Sequence, residues 1–80
     1  MAKYRINTAL LKGVLTANNM SVLDLGRSLG LAQVTIYRKV NGQRQFTVGE
    51  LYRIKELLGL DHDMIDRIFY PEIILSETGA

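Results

Sequence analysis

An apolar residue, a residue with a short hydrogen-bonding side chain and a second apolar residue four positions further on recur in the same order along the chain. The sets are Ile6-Asn7-Leu11, Met20-Ser21-Leu25, Phe46-Thr47-Leu51 and Leu60-Asp61-Ile65. This is the spacing of a hydrophobic staple around a helix N-cap: the side-chain oxygen accepts from an N–H that the first turn leaves unpaired, and the apolar pair fixes the angle of entry. Glu50 completes a capping box with Thr47, whereas Leu31-Ala32-Ile36 keeps the spacing without a capping oxygen. Asn18-Asn19, Gly30, Gly42 and Gly59 tolerate the left-handed backbone that closes a helix. Helices are therefore expected at about 8–18, 22–29, 33–41, 48–58 and 62–70, with Pro71 opposing continuation of the last. Their inward stripes are Leu10, Leu11, Val14 and Leu15; Val22, Leu25 and Leu29; Ile36 and Val40; Leu51, Ile54, Leu57 and Leu58; and Ile65, Ile68 and Phe69. No two-residue alternation stands out before the C-terminal tail, so the expected fold class is all-α, with residues 1–80 forming one unit and a tail at 71–80.

The second and third helices are separated by only Gly30-Leu31-Ala32, a connection short enough to force a steep crossing instead of an antiparallel pair. Gly26 inside the second helix costs about 1 kcal/mol in propensity relative to alanine, and close approach of the third helix is the simplest compensation. Gly30 supplies the positive φ that turns the chain. Residues 22–41 thus read as a helix-turn-helix.

The stretch VLDLGRSLGLAQVTIYRKVNG, Val22 to Gly42, resembles the helix-turn-helix of the Cro/CI (XRE-type) phage repressor family. Leu25, Gly26, Leu29, Gly30 and Ile36 match the family's structural positions, and Asn41-Gly42 matches its usual close after the recognition helix. The TIYRKVNG run looks like short phage regulators from Gram-positive hosts. This resemblance, which extends over about residues 6–70, implies a five-helix lambda-repressor-like domain. It also implies a sequence-specific double-stranded DNA-binding transcriptional regulator, a phage-type repressor or Cro-like protein that binds a palindromic operator as a dimer in the bacterial cytoplasm. The chain departs from the family at three positions. Ala32 lacks the capping hydroxyl of many relatives, Val22 stands where lambdoid repressors often place a phosphate-binding Gln, and Lys39 occupies a commonly apolar position, so its stem must run along the core edge while Val40 packs inside.

With about 100° between successive residues, setting Ile36 at the core leaves Val34 and Arg38 on the opposite face of the third helix. Gln33 lies nearer the core side but in the first turn, which in the family points toward base edges. In that position Gln33 can pair bidentately with adenine and Arg38 with guanine, and an exposed Val34 suits a thymine methyl. Thr35, Tyr37 and Asn41 flank that face, and Gln43 and Arg44 follow in the loop, all as candidates for phosphate contact. Arg27 and Lys39 are further phosphate candidates or solvated surface charges.

The net charge of +2 hides an uneven distribution. Up to Gln45 seven basic residues stand against Asp24 alone, whereas from Phe46 onward Arg53, Lys55 and Arg67 face seven acids. Such asymmetry fits one face that attracts a polyanion, or surface charge that happens to cluster. Absence of cysteine leaves the core to apolar residues, which make up 48% of the chain, and fits a reducing compartment. No apolar run approaches the roughly 20 residues of a membrane span, and no signal-peptide pattern opens the chain, so a cytoplasmic location and no membrane partner are expected.

Nothing places a nucleophile beside a base, and the only histidine, His62, sits between Asp61 and Asp63 at a helix start, where acids are favoured by the helix dipole. Neither enzymatic activity, metal, cofactor nor small-molecule ligand is expected. The competing class is a protein-binding regulator, an antitoxin or antirepressor that uses the same fold; Gln33, Thr35, Arg38 and Asn41 favour DNA, while Val34 and Tyr37 leave the alternative open. A homodimer interface is expected on Ile65, Ile68, Phe69 and Tyr70 with Ile73, Ile74 and Leu75. The tail would add a strand at Glu72-Leu75, start a sixth helix at Pro71, or fold back beside Tyr4 and Ile6.

Overall fold

The computed structural model describes residues 5–71. They form five helices: α1 (Thr8–Ala17), α2 (Val22–Ser28), α3 (Gln33–Val40), α4 (Val48–Leu58) and α5 (His62–Phe69), with no strand among the described residues. Four of the helices start where the sequence places an acceptor. The side chains of Asn7, Ser21, Thr47 and Asp61 accept from the N–H groups of Leu10, Asp24, Glu50 and Met64. α3 begins without one, at Ala32. Thr47 and Glu50 form the expected capping box, and a second box at Ser21 uses Asp24 in the role usually taken by Glu or Gln.

The ends of the first four helices share one geometry. The N–H groups of Met20, Leu31, Gln43 and Leu60 donate back to the carbonyls of Leu15, Gly26, Arg38 and Lys55 at 2.8–2.9 Å. The residue before each donor has a positive φ, from 57° at Asn19 to 80° at Gly42, as this closing motif demands. At Gly30, φ 71°, the reversal turns the chain from α2 into α3 within four residues.

Every helix contributes to a single core, whose fully buried members are Leu11, Leu15, Leu25, Ile36, Val40, Ile54 and Ile68. Gly26 faces Ile36 so closely that a Cβ would lie 2.7 Å from the isoleucine Cγ2, the close approach expected from the glycine's position inside a helix. Three further hydrogen bonds tie elements together. Asn7 N–H donates to the Ile68 carbonyl at 2.7 Å, Thr8 Oγ1 to Val40 O at 3.0 Å, and the Arg53 guanidinium to Ser28 O at 2.9 Å.

Two expectations are corrected by this packing. Leu57 is 43% exposed, because Ile54 and Leu58 fill the inward stripe of α4 and leave its neighbour outside. Ile65, Ile68 and Phe69 are not an interface on the described chain: they are at most 7% exposed and close its own core. α5 is only eight residues long, and these are the side chains that seat it. Phe46, from the α3–α4 loop, completes that corner edge-on to Phe69, with ring centroids 5.2 Å apart. Tyr70 is exposed, and Ile73, Ile74 and Leu75 lie outside the described residues. Among the described residues no helix is long and apolar enough to cross a membrane.

Candidate nucleic-acid interface

Burial of Ile36 and Val40 fixes the rotation of α3, and the opposite face follows from helical geometry. Val34 is 57% exposed, Tyr37 is 42% exposed, and Gln33, Arg38 and Asn41 are exposed with them. Thr35 is half-buried at the edge of this face. A valine and a tyrosine left in solvent on a helix that also carries glutamine and arginine contribute nothing to the core.

The loop after α3 is tied to the same helix. The Arg38 carbonyl accepts from the N–H groups of both Gln43 and Arg44, at 2.8 and 3.3 Å. One residue therefore presents its guanidinium on the outward face of α3 while its backbone anchors the loop from which Arg44 emerges. Gln43, Arg44 and Gln45 are all exposed. Among the described residues neither the Arg38 nor the Arg44 guanidinium has a partner. Two cations and the exposed amides of Gln33, Asn41, Gln43 and Gln45 thus lie on α3 and the loop that follows it.

No family model, curated protein or solved structure matches the chain.

Lys39 does not belong to this surface, contrary to its place among the phosphate candidates. It is 5% exposed, and its ammonium lies 2.5 Å from Glu50 Oε1 and 5.7 Å from the centre of the Phe46 ring. The expected path of its stem along the core edge is correct, but the head ends on a carboxylate instead of in water. Glu50 Oε1 also accepts from Thr47 N–H at 2.9 Å. Burial raises the Glu50 pKa, but the bonds from Lys39 and Thr47 with the lysine's charge outweigh it and hold the carboxyl below its ordinary value. Periodicity carried half of this signal, since Lys39 lies about 60° from Ile36 on the wheel.

Arg27 stays exposed on α2, with its guanidinium 3.9 Å from Asp24 Oδ1, a solvated pair that leaves it able to meet phosphate. Hydrogen bonds from the Ser21 backbone and hydroxyl, with Arg27 nearby, hold the Asp24 carboxyl below its ordinary value against a slight effect of burial.

The Asp61-His62-Asp63 run is spent locally. Asp61 caps α5, Asp63 pairs with Arg67 at 2.7 Å, and His62 Nε2 lies 3.2 Å from the Lys55 ammonium. Among the described residues no group of three or more His, Cys, Asp or Glu side chains is arranged to hold a metal ion. An open groove of about 310 Å³ is lined by Ser28, Leu29, Arg53, Glu56 and Leu57, and the Arg53 head in it is engaged by Ser28. Val48 and Tyr52, one turn apart on α4, are also exposed. Neither occupies a staple or inward-stripe position, so periodicity gave no signal for this pair.

Proposed function

We propose that the protein is a sequence-specific double-stranded DNA-binding regulator that places α3 in the major groove. The observation that carries this proposal is the joint presentation of Val34 and Arg38 on the outward face of α3, with Gln33 exposed in its first turn and a loop cation, Arg44, anchored to the backbone of Arg38. Amide and guanidinium groups form paired hydrogen bonds with adenine and guanine edges, and a valine suits a thymine methyl. Arg44, Gln43, Asn41, Tyr37, Thr35 and Arg27 then set register through phosphate contacts. Residues 22–41 act as the helix-turn-helix, in line with the sequence resemblance to Cro/CI-type repressors.

A single small domain of this kind reads only a few base pairs, so two copies pair on a palindromic operator whose half-sites lie about 34–36 Å apart. Tyr70 and residues 73–75 are the surface proposed for that pairing, now without Ile65, Ile68 and Phe69. Bound in this way in the bacterial cytoplasm, the protein regulates transcription by occupying the operator, as a phage-type repressor or Cro-like protein does. Neither a cofactor nor a catalytic residue enters the scheme.

The test is titration of a fluorescent duplex at rising salt. Binding through several cations lowers log K linearly with log salt, by about 0.9 per phosphate neutralised. Absence of binding at low salt, or affinity insensitive to salt, would contradict the proposal. A second role, holding a protein partner, is favoured by Val48 and Tyr52, exposed one turn apart on α4. Substitution of both residues with serine would then abolish partner binding while DNA binding persists.

A further inference from the structure

We propose that the Lys39–Glu50 ion pair is a positioning device that holds the Arg44 loop in register with the outward face of α3. The proposal rests on the DNA-binding role of α3 and adds to it the element that sets the geometry of the site.

The loop between α3 and α4 is held at both ends by consecutive residues of α3. Arg38 anchors its first half, through the carbonyl that accepts from Gln43 and Arg44. Lys39 anchors its second half. Its ammonium binds the Glu50 oxygen that also takes the Thr47 N–H, and it stands over the ring of Phe46, which packs on Phe69. Arg44 lies between these two anchors, so its position relative to Arg38 depends on both.

Stability alone does not account for the pair. The Lys39 and Glu50 side chains are 7% and 14% exposed, and a pair of charges so far out of water gains little over well-packed apolar groups of the same volume. An apolar pair, however, tolerates sliding of α4 against α3. The charged pair, with one oxygen shared between Lys39 and the cap of α4, permits one arrangement. Glu50 is also an acid next to a surface intended for a polyanion, and Lys39 neutralises it there.

The test is the double variant Lys39→Met/Glu50→Gln. It leaves the net charge unchanged, so bulk attraction to DNA is the same, and the introduced amide still offers an oxygen to the Thr47 N–H. Two readouts are needed: preference for a selected site over random duplex, and hydrogen exchange of the Gln43 and Arg44 amides in the free protein. The expected result is a folded protein whose preference falls about tenfold and whose two loop amides exchange about tenfold faster, while core amides of α1 are unchanged. A folded double variant with either readout at the parent value overturns the proposal. Should the double variant not fold, Glu50→Gln alone carries the test, because it removes the charge that holds the Lys39 ammonium while the amide oxygen still accepts from the Thr47 N–H. Charge counting predicts tighter binding to every duplex for that single variant, whereas loss of register predicts weaker preference, and a preference at or above the parent value overturns the proposal. If the parent binds no duplex at all, the DNA-binding role fails, and unchanged loop exchange in the variant would then remove the positioning role as well.

Discussion

The Cβ that position 26 lacks would lie 2.7 Å from Cγ2 and 2.9 Å from Cβ of Ile36, so the backbone of α2 rests directly on a buried side chain of α3. This contact sets how closely the two helices of the candidate interface approach. Gly26→Ala gains about 1 kcal/mol in helix propensity but must displace a core side chain, which costs about 1–3 kcal/mol or more when the neighbour is branched at the point of contact. Net destabilisation of up to about 2 kcal/mol is expected from urea unfolding. Gly13 is the control, since it lies inside α1 and a Cβ added there would meet nothing within 4 Å. Gly13→Ala should stabilise by about 0.4–1 kcal/mol. Equal effects at the two glycines would show that the α2–α3 contact is not limiting.

Glu50 links stability to pH. Its carboxyl is held below the ordinary value in the folded chain, so below that ordinary value the unfolded chain binds more protons than the folded one. The stability it contributes is complete above the unfolded pKa and is lost as pH falls through the folded pKa. Asp24 acts with the same sign. Glu50→Gln should lower the thermal midpoint at neutral pH and make the decline through the acid range shallower. Parallel curves for parent and variant would rule out the linkage.

Reading and positioning separate by sequence dependence. Arg38→Ala and Gln33→Ala should each cost about 1–3 kcal/mol on the preferred site and relax preference at one base pair, a different one for each. Competition binding against single-base variants of the site measures both effects. Normal binding by both folded variants would remove α3 as the reading helix.

Arg44→Ala should weaken specific and random duplexes nearly alike and reduce the salt slope by about one unit, as a phosphate contact does. A loss confined to one sequence would make Arg44 a base reader.

Local signals in the sequence were the most legible. A cap and its partner are three residues apart, and a closing turn involves six, so Asn7, Ser21, Thr47, Asp61, Asn19 and Gly30 marked helix limits without knowledge of the rest of the fold. The exposure of Val34 and Arg38 also followed from one buried neighbour, Ile36. Contacts distant in sequence were not legible in the same way. Nothing near Lys39 announces that its partner is Glu50, whose capping role alone was visible, and Arg53 carries no sign that it reaches the end of α2 at Ser28. The stripe of Ile65, Ile68 and Phe69 looks the same on a wheel whether it faces its own core or a second copy. Their burial, with the packing of Phe46 on Phe69 and the hydrogen bond from Asn7 to Ile68, assigns it to the core.

Selection of binding sites from random duplex DNA tests the central proposal most directly. A DNA-reading α3 predicts enrichment of one short sequence, present as an inverted repeat with half-site centres about 34–36 Å apart, and loss of preference at one base pair per half-site when the selection is repeated with Arg38→Ala. Recovery of random sequence by the folded protein, or an Arg38→Ala selection indistinguishable from the parent's, would contradict it.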